Sequence, residues 1–227
     1  IRTLKSIEKR MADGGPHANG EEQEILAQYS GWGGLSDAFE PNKDSWHSEY
    51  TELKSLLTEE EYAAARSSTL TAFYTPPEVI DAMYTALRKM GVGAGTILEP
   101  SMGVGAFFGQ SHSYLYEPTT RLFGVELDSL TGRIARQLYQ KANIQITGFE
   151  KADLPDSFFD MVIGNVPFGD YSVVDPQYNR LHFKIHDYFF AKSIDKLRTG
   201  GIIAFITTSG TPVSYTHLRA HETLRHL

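Results

Sequence analysis

The segment Ile97-Leu-Glu-Pro-Ser-Met-Gly-Val-Gly-Ala-Phe-Phe-Gly109 joins a short apolar run to a glycine-rich turn and then to a helical pattern. Gly103 and Gly105 let the backbone approach a ligand closely, and the helix start offers free N–H groups. The next apolar run ends in Gly124-Val-Glu-Leu-Asp128, which places Glu126 where its carboxylate can accept hydrogen bonds from ribose hydroxyls. The loop and the acid together predict an adenosine-containing ligand.

Outward from this segment, apolar runs alternate with amphipathic helical patterns from residue 69 onwards. We predict strands at 96–99, 122–127, 144–147, 161–164 and 202–207, and helices at 75–90, 106–111, 130–142 and 187–197. Short, nearly all-apolar strands separated by helices are typical of a parallel sheet covered on both faces. The pattern therefore predicts an open α/β fold whose ligand lies beyond the carboxyl ends of the strands.

Residues 1–68 have a different pattern, without a strand signal. We predict helices at 21–29 and 50–66, joined by the turn Tyr29-Ser-Gly-Trp-Gly-Gly-Leu35, in which Trp32 anchors the turn to the core. Thr75-Pro-Pro-Glu78 has the spacing of a capping box, which predicts the start of the next helix. We expect a helical extension at 1–68 that precedes an α/β core at 69–212.

The two ends of the chain depart from this pattern. The stretch Val213-Ser-Tyr-Thr-His-Leu-Arg-Ala-His-Glu-Thr223 resembles the translation of a transposon-type sequencing adapter, and we expect residues 213–227 to be a non-native tail. The first residue is Ile1, so we expect that the start of the open reading frame is missing. We also expect the natural gene to continue beyond residue 212.

Composition excludes several classes of protein. The chain has 227 residues, of which 41% are hydrophobic and 22% charged, as in an ordinary globular protein. It contains no cysteine, which excludes disulfides, thiolate zinc sites and a cysteine nucleophile, and suits a reducing cytoplasm. A net charge of -7 argues against nonspecific coating of nucleic acid, although a local basic groove stays compatible with it. The apolar runs are too short to predict a membrane span.

The class of adenosine ligand depends on Glu99 and on the spacing of the loop. Gly103-Val-Gly-Ala-Phe-Phe-Gly109 is one residue longer than the G-x-G-x-x-G spacing of dinucleotide-binding loops. A carboxylate at Glu99 suits the cationic sulfonium and ammonium of S-adenosylmethionine better than a pyrophosphate, which it would repel. We favour S-adenosylmethionine over NAD; the other interpretation is that Glu99 only caps the loop backbone.

A second motif, Phe159-Asp-Met-Val-Ile-Gly-Asn-Val-Pro-Phe-Gly169, follows the fourth predicted strand. Asn-x-Pro-Phe downstream of Glu-Pro-x-x-Gly-x-Gly resembles the N6-adenine DNA methyltransferases of the amino-methylating class. The Gly-Trp-Gly-Gly turn and Ala72-Phe-Tyr-Thr-Pro-Pro77 are similar to the methylase modules of large helicase–methylase proteins of bacterial mobile elements and phages. The resemblance covers about residues 20–212.

This resemblance implies a Rossmann-like class I methyltransferase fold, with a mostly parallel sheet and helices on both faces. About five of the family's seven strands are expected before the tail. The implied cofactor is S-adenosylmethionine, the implied partner is DNA with a flipped-out adenine, and a fused helicase region is implied in the longer protein. We expect a cytoplasmic, bacterial or phage-encoded protein. Because the family's target-recognition region is expected to be missing, we also expect that these residues alone do not methylate DNA.

The chemistry of methylating an exocyclic amine explains the motif. Its nitrogen lone pair is delocalised into the ring, so the oxygens of the Asn165 side chain and the Val166 carbonyl would accept the amine hydrogens and direct the lone pair to the methyl group. Phe168 would stack on the flipped base, and Pro167 completes the motif. The family has proline at position 166 and often a phenol at 168, but neither difference removes a required contact. A strand-ending turn without catalytic function is the alternative.

The resemblance also implies the cofactor contacts. An acid between the third and fourth strands holds the adenine amino group; Glu150 is preferred and Asp153 is the alternative. Phe73 and Tyr74 are candidate stacking groups. The full predicted cofactor set is Tyr74, Thr75, Pro76, Glu99, Pro100, Ser101, Gly103, Gly105, Glu126, Leu127, Glu150, Asp153 and Asn165. His182 and His186 lack a third ligand at a recognisable spacing, so we predict no metal site.

Two other functions stay open at this point. The same motif is used to methylate RNA adenine or protein glutamine, and a helical bundle fused to the enzyme is typical of the glutamine class. The fold can also act as a noncatalytic module for DNA docking or anti-restriction. Intact Glu126, Asn165 and Phe168 favour the enzyme over the noncatalytic module.

Overall fold

The computed structural model describes residues 1–69, 74–93, 95–115 and 119–207. In this part of the chain, one parallel sheet has the strand order β3-β2-β1-β4-β5. The bounds are β1 Thr96–Glu99, β2 Arg121–Glu126, β3 Asn143–Ile146, β4 Phe159–Asn165 and β5 Leu197–Ile206. The predicted five-stranded α/β fold is confirmed, whereas the predicted tail at 213–227 lies outside the described residues.

Among the described residues, five α-helices precede the sheet in the chain and three lie between its strands. Their bounds are α1 Arg2–Ala12, α2 Gly20–Ala27, α3 His47–Leu56, α4 Glu59–Ser68, α5 Pro77–Lys89, α6 Ala106–Tyr114, α7 Ser129–Leu138 and α8 Ile185–Lys196. Among these helices, none has both the length and the apolar character that a membrane span requires. The described part of residues 1–68 contains no strand, as predicted.

Both faces of the sheet are covered, which explains why its strands are apolar at successive positions. Ile97 packs in one cluster with Ile80 and Tyr84 of α5. Its neighbour Leu98 packs in another cluster with Tyr188 of α8. Successive residues of a strand point to opposite faces, so β1 is buried on both.

The strand order places a topological switch point at β1. This strand pairs with β2 on one side and with β4 on the other. Connections on the two sides leave in opposite directions, which opens a crevice outside the carboxyl ends of β1 and β4. Glu99 ends β1 and Asn165 ends β4, so the two predicted motifs meet at this crevice.

The prediction of one helix at 50–66 is wrong, because the chain forms α3 and α4 with a break at Leu57. Thr58 is the N-cap of α4: its side chain accepts a hydrogen bond from the Glu61 amide at 3.2 Å, and the Glu61 carboxylate accepts one from the Thr58 amide at 2.9 Å. This reciprocal capping box starts a new helix. The apolar periodicity continues across the break and concealed it.

Three smaller predictions about helices also need correction. The capping box at Thr75 does not form, since Pro76 is the N-cap of α5 and proline residues occupy its start. The predicted helix 130–142 ends at Leu138, because Tyr139 leaves the helix and donates from its hydroxyl to the Gly105 carbonyl at 2.6 Å. The helix α1 was not predicted.

The N-terminal helices pack directly onto α7. Leu4 and Ile7 of α1 share an apolar cluster with Leu130 and Ile134 of α7. Glu61, only 6% exposed, joins the two parts electrostatically: it accepts hydrogen bonds from Lys5 Nζ at 2.7 Å and from Arg133 Nη1 at 2.5 Å. Burial opposes ionisation of Glu61, but these bonds outweigh it and lower its pKa to about 2. Residues 1–68 thus share a core with the α/β part, while the predicted domain division stays a prediction.

We predict that Glu61→Gln lowers the free energy of unfolding by about 2 kcal/mol at pH 7, because Lys5 and Arg133 lose a buried anion. Glu52, whose pair with the exposed Arg2 is at the surface, provides the control: Glu52→Gln should cost less than about 0.5 kcal/mol. Urea denaturation measures both. Since the pKa of Glu61 is lowered on folding, the difference should persist above pH 4.5 and decline as the pH falls towards 2. Equal effects of the two substitutions would contradict the prediction.

Candidate functional site

A cleft of about 420 Å³ lies at the carboxyl ends of β1 and β4. Most of the residues predicted from sequence line it: Tyr74, Thr75, Glu99, Pro100, Ser101, Gly103, Glu126, Leu127, Glu150, Asn165, Val166, Pro167 and Phe168. Its volume is within the range of small-molecule and cofactor sites. The structure therefore brings the glycine loop and the Asn-Val-Pro-Phe motif to one cavity.

The glycine loop is locked to the end of β2 by Glu126. One oxygen of the Glu126 carboxylate accepts from the Gly103 amide at 2.8 Å, and the other accepts from the Asp128 amide at 2.8 Å. Gly103 and Gly105 have φ values of 56° and 86°, a left-handed backbone that strongly favours glycine. The loop conformation thus requires both glycines and holds Glu126 at the cleft.

Two neighbouring carboxyl groups, the buried Glu99 and the half-buried Glu126, make the floor of the cleft electrostatically unusual. Glu99 is 2% exposed, and its Oε2 has no hydrogen-bond partner among the described residues. Burial, together with the nearby charge of Glu126, raises the pKa of Glu99 well above its ordinary value. Burial also raises the pKa of Glu126 to about 7, although backbone N–H groups oppose that rise. A bound cation or hydrogen-bond donor would relieve both carboxylates.

The end of β4 presents Asn165 to the same cavity. Its Oδ1 is buried and has no hydrogen-bond partner in the part of the chain that the structure describes. Its backbone carbonyl accepts from the Ser101 hydroxyl at 2.8 Å, which ties the β4 loop to the β1 loop. The next residue, Val166, is buried and its amide donates to the Ile206 carbonyl at 3.2 Å. The backbone of the motif is therefore fixed, while the Asn165 amide oxygen is available to a ligand.

Phe168 stands at the mouth of the cleft with 45% of its surface exposed. The exposed side chains of Leu127 and Tyr171 line the same mouth. Large apolar side chains at a cavity entrance commonly contact a flat ligand or partner. Phe168 is thus placed where a ring can stack against it.

Between β3 and β4, the structure distinguishes the two candidate acids. Glu150 lines the cleft. Asp153 does not, because the Gln145 side chain pairs with both its amide and its carbonyl, at 2.8 and 2.6 Å, and holds this segment at the exposed edge of β3. The inclusion of Asp153 among the cofactor contacts is therefore not supported by its position.

Two other predicted residues lie just outside the cleft. Pro76 is the N-cap of α5, and Gly105 is the N-cap of α6, where its carbonyl accepts from Tyr139. They shape neighbouring backbone and do not line the cavity. Phe73 lies outside the described residues.

The glycine turn of the N-terminal segment reaches the cleft through Tyr74. A Cβ atom at Gly31 would lie 2.5 Å from Cε2 of the Tyr74 ring, and one at Gly103 would lie 3.1 Å from Cε1. Opposite edges of the ring therefore face two glycines that lack side chains. Trp32 packs edge-to-face on Phe39 at 5.3 Å, which confirms its predicted core position, and it also lines the cleft.

Sequence reasoning missed several lining residues that reach the cleft only through tertiary packing. They are Gly31, Trp32, Ala64, Ser67, Ser68, Thr131, Phe149, Tyr171, Val173 and Ile185. Asp128 was also missed, although its place after β2 is a recognisable N-cap signal: its carboxylate accepts from the Thr131 amide at 2.9 Å. His182 precedes α8 in a left-handed conformation, so it does not share a helix with His186. Among the described residues, no acid or histidine cluster of metal-binding size is present.

Comparison with solved structures defines the class of fold. A class I S-adenosylmethionine-dependent methyltransferase described as putative, from Listeria monocytogenes, superposes with a TM-score of 0.53 at 14% identity, over 90% of this chain and 71% of its own. A type I restriction-modification methyltransferase subunit from Streptococcus thermophilus gives a TM-score of 0.48 at 20% identity, over 70% of this chain and 41% of its own. The chain has the class I methyltransferase fold.

The sequence then gives the family. Residues 56–214 match the family described as N-6 DNA Methylase. Over 191 residues the chain is 26% identical to Defense against restriction protein B of Escherichia phage P1. The aligned region covers 82% of this chain and 7% of the phage protein. Since the family match spans more than half of the sequence, the chain belongs to the N-6 DNA methylase family. It spans only a small part of the length of the phage relative.

We predict that Gly31→Ala destabilises the fold by about 1–2 kcal/mol more than Gly34→Ala. Both glycines have left-handed φ values, 74° and 76°, so both substitutions carry a similar backbone cost. Only the new methyl group at position 31 would meet Tyr74, because nothing lies within 4 Å at position 34. Denaturant unfolding of both variants measures the difference. Equal destabilisation would show that the Tyr74 contact is not tight.

We predict that Glu99→Gln stabilises the fold at pH 8 by about 1–2 kcal/mol, because the amide removes a buried carboxyl whose ionisation is opposed by desolvation. The melting temperature should rise by several degrees. The pKa of Glu99 is raised on folding, so the wild-type carboxyl does not destabilise the fold below pH 4.5. Above that pH its destabilising effect increases as the pH rises. The gain should therefore be small at pH 4.5. Glu24→Gln, at an exposed position of α2, is the control and should change little at either pH. A loss of stability at pH 8 would contradict the prediction.

Proposed function

We propose that this chain binds S-adenosylmethionine and carries the catalytic motif of a protein that transfers the methyl group to the N6 amino group of adenine in DNA, although these residues alone are not expected to complete the reaction on DNA. One observation supports this most directly: Asn165 Oδ1, buried and without a partner among the described residues, belongs to the same cleft as the carboxyl groups of Glu99 and Glu126. A hydrogen-bond acceptor on one side and anions on the other match an amine substrate and a cationic methyl donor.

The residues of the cleft fit the proposed cofactor. Each oxygen of the Glu126 carboxylate has a further lone pair that would accept a hydrogen bond from a ribose hydroxyl. The Glu99 carboxyl, whose Oε2 has no partner among the described residues, would face the cationic part of the cofactor. Glu150 would accept from the adenine amino group, with Phe149 and Phe189 as the apolar wall around the ring. When bound, the cofactor supplies an electrophilic methyl group on a sulfonium.

NAD fits the same cleft poorly. Its pyrophosphate would approach the glycine loop, where the carboxyl groups of Glu99 and Glu126, once ionised, would repel another anion. A sulfonium and an ammonium instead gain Coulomb attraction there. The charges of the cleft therefore favour the methyl donor.

The chain's own groups would activate the amine by alignment. The Asn165 amide oxygen and the Val166 carbonyl accept the two amine hydrogens, so that the nitrogen lone pair points to the methyl group. The bound cofactor would supply the methyl group, with its carbon–sulfur bond breaking as the new nitrogen–carbon bond forms. The methylated nitrogen then releases one proton to solvent. Phe168, exposed at the cleft mouth, would stack on the adenine ring.

The biological setting is part of the same proposal. The phage relative is named for defence against restriction, and adenine methylation is one way in which DNA is protected from restriction enzymes. We infer a similar role for this chain. RNA adenine and the amide of protein glutamine are the other planar amines that the same arrangement would accept.

The cofactor part is tested by calorimetric titration of the 227-residue chain with S-adenosylhomocysteine and, separately, with NAD. We predict micromolar binding of S-adenosylhomocysteine only, weakened at least tenfold by Glu126→Ala, which removes the acceptor of the ribose hydroxyls. Asp153→Ala is the matched control, because this acid lies outside the cleft, and it should retain wild-type affinity. Preferential binding of NAD would overturn the proposal.

The proposed substrate is tested with bisubstrate compounds, in which a methyl-accepting group is joined covalently to the cofactor product. The compound that contains adenine N6 should bind at least tenfold more tightly than S-adenosylhomocysteine, because it adds the Asn165 and Phe168 contacts. Asn165→Ala should remove most of that gain. Compounds made with cytosine N4 or with a glutamine amide are the comparators. Tighter binding of the glutamine compound would show that protein glutamine, and not adenine, is the substrate.

A further inference from the structure

The loop that follows the Asn-Val-Pro-Phe motif is anchored by a buried carboxylate. Asp175, 6% exposed, accepts hydrogen bonds from the Tyr188 hydroxyl at 2.7 Å and from Lys192 Nζ at 3.0 Å, both on α8. Its other oxygen accepts from the Gln177 amide at 3.1 Å. Burial opposes ionisation of Asp175, yet these bonds outweigh it and its pKa is lowered. The loop is thus tied to α8 through a charged, buried contact.

The same lysine reaches the other side of the cleft. Lys192, also 6% exposed, donates a second hydrogen bond to the Glu150 carbonyl at 3.1 Å. Its ammonium lies 5.3 Å from the centre of the Phe149 ring. Phe149 and Glu150 both line the cleft, whereas Lys192 and Asp175 do not. One ammonium therefore connects the turn between β3 and β4 with the loop after the motif.

The segment between the motif and this anchor is short and faces the cavity. Phe168, Tyr171 and Val173 all line the cleft before the chain reaches Asp175. The Tyr171 carbonyl accepts from the Ile185 amide at 2.8 Å, at the start of α8. A displacement of α8 or of Lys192 would therefore move both the base-facing residues and Glu150.

A buried ion pair is a costly way to obtain stability alone. Desolvation of the two charges offsets most of their attraction, and apolar side chains of similar size often stabilise a core better. What the pair adds is a fixed direction: two hydrogen bonds orient the ammonium between two loops. This geometry suits a group that positions its neighbours.

We propose that the Asp175–Lys192 pair is a positioning device, which orients Glu150 towards the cofactor's adenine and couples that contact to the loop that receives the substrate base. The inference rests on the proposed function. Neither residue touches the reacting atoms. Coupling of this kind is reciprocal. Binding of the cofactor's adenine favours the loop conformation that receives the substrate base, and binding of the substrate base favours the contact between Glu150 and the cofactor's adenine.

The test compares S-adenosylhomocysteine with S-inosylhomocysteine, which has an oxygen in place of the adenine 6-amino group. The wild-type chain should prefer S-adenosylhomocysteine at least tenfold through Glu150. The double variant Asp175→Asn/Lys192→Met removes both charges and leaves no unpaired ion, and its preference should fall to about twofold. The gain in affinity of the adenine bisubstrate compound should fall in the same variant by at least fivefold.

A matched control lies one turn further along α8. Lys196 Nζ also donates to a backbone carbonyl, that of Leu154, at 2.8 Å, and pairs with Asp156 at 2.7 Å, but neither partner lines the cleft. Asp156→Asn/Lys196→Met should leave both ligand preferences within twofold of wild type. Thermal unfolding of both double variants separates general destabilisation, which would weaken both ligands equally, from loss of positioning.

The outcomes are distinguishable. A folded Asp175→Asn/Lys192→Met variant that keeps the wild-type preference overturns the positioning proposal, and so does a wild-type chain that binds both ligands equally. If the double variant does not fold, Lys192→Arg retains the charge but displaces its donors, and the preference should fall at least threefold; an unchanged preference overturns the proposal. Absence of S-adenosylhomocysteine binding in the folded wild-type chain rejects the proposed function and this inference together.

Discussion

The parallel pairing of β1 with β2 and β4 is the constraint on which the cleft depends. Glu99 lies opposite Gly124 of β2, and Leu98 lies opposite Val162 of β4. Because parallel strands end at the same edge, this pairing brings the glycine loop and Asn165 together. A shift of one residue would exchange the faces of Leu98 and Ile97, which pack in two different clusters, so the packing on both faces fixes the register. The register in turn fixes the site.

The site itself opposes the stability that this packing provides. Glu99 is buried and Glu126 half-buried where an amide or an apolar side chain would cost less free energy, and desolvation raises the pKa of both. Such a cost persists where function requires the charge, and the apolar clusters on both faces of the sheet compensate for it. The same reasoning applies to the unpaired oxygen of Asn165. Among the described residues, four of the seven buried polar side-chain atoms without a partner belong to residues that line the cleft, which is consistent with the proposed ligand site.

The parts predicted well from the sequence are those encoded locally. Each strand is a short apolar run, and the motifs containing Glu126 and Asn165 end two of them, so the sheet and these two residues follow from pattern and spacing. The break at Leu57 was missed because apolar periodicity continues across it, although Thr58 and Glu61 carry the capping signal. The approach of Gly31 to Tyr74 depends on how distant segments pack, which no local pattern records. The same holds for the bond between Lys192 and the Glu150 carbonyl.

The helical segment before residue 69 participates in the cleft through its packing. Its predicted boundary marks a change in sequence pattern, yet Glu61 bonds to Arg133 of α7, and α7 begins beside Glu126, where Asp128 is its N-cap. On the opposite side, the Gly31 turn closes against Tyr74 next to the glycine loop. Both routes connect the N-terminal helices to the residues proposed to hold the ribose. A change in the packing of these helices would therefore alter the cofactor site even though no helix of this segment carries a catalytic group.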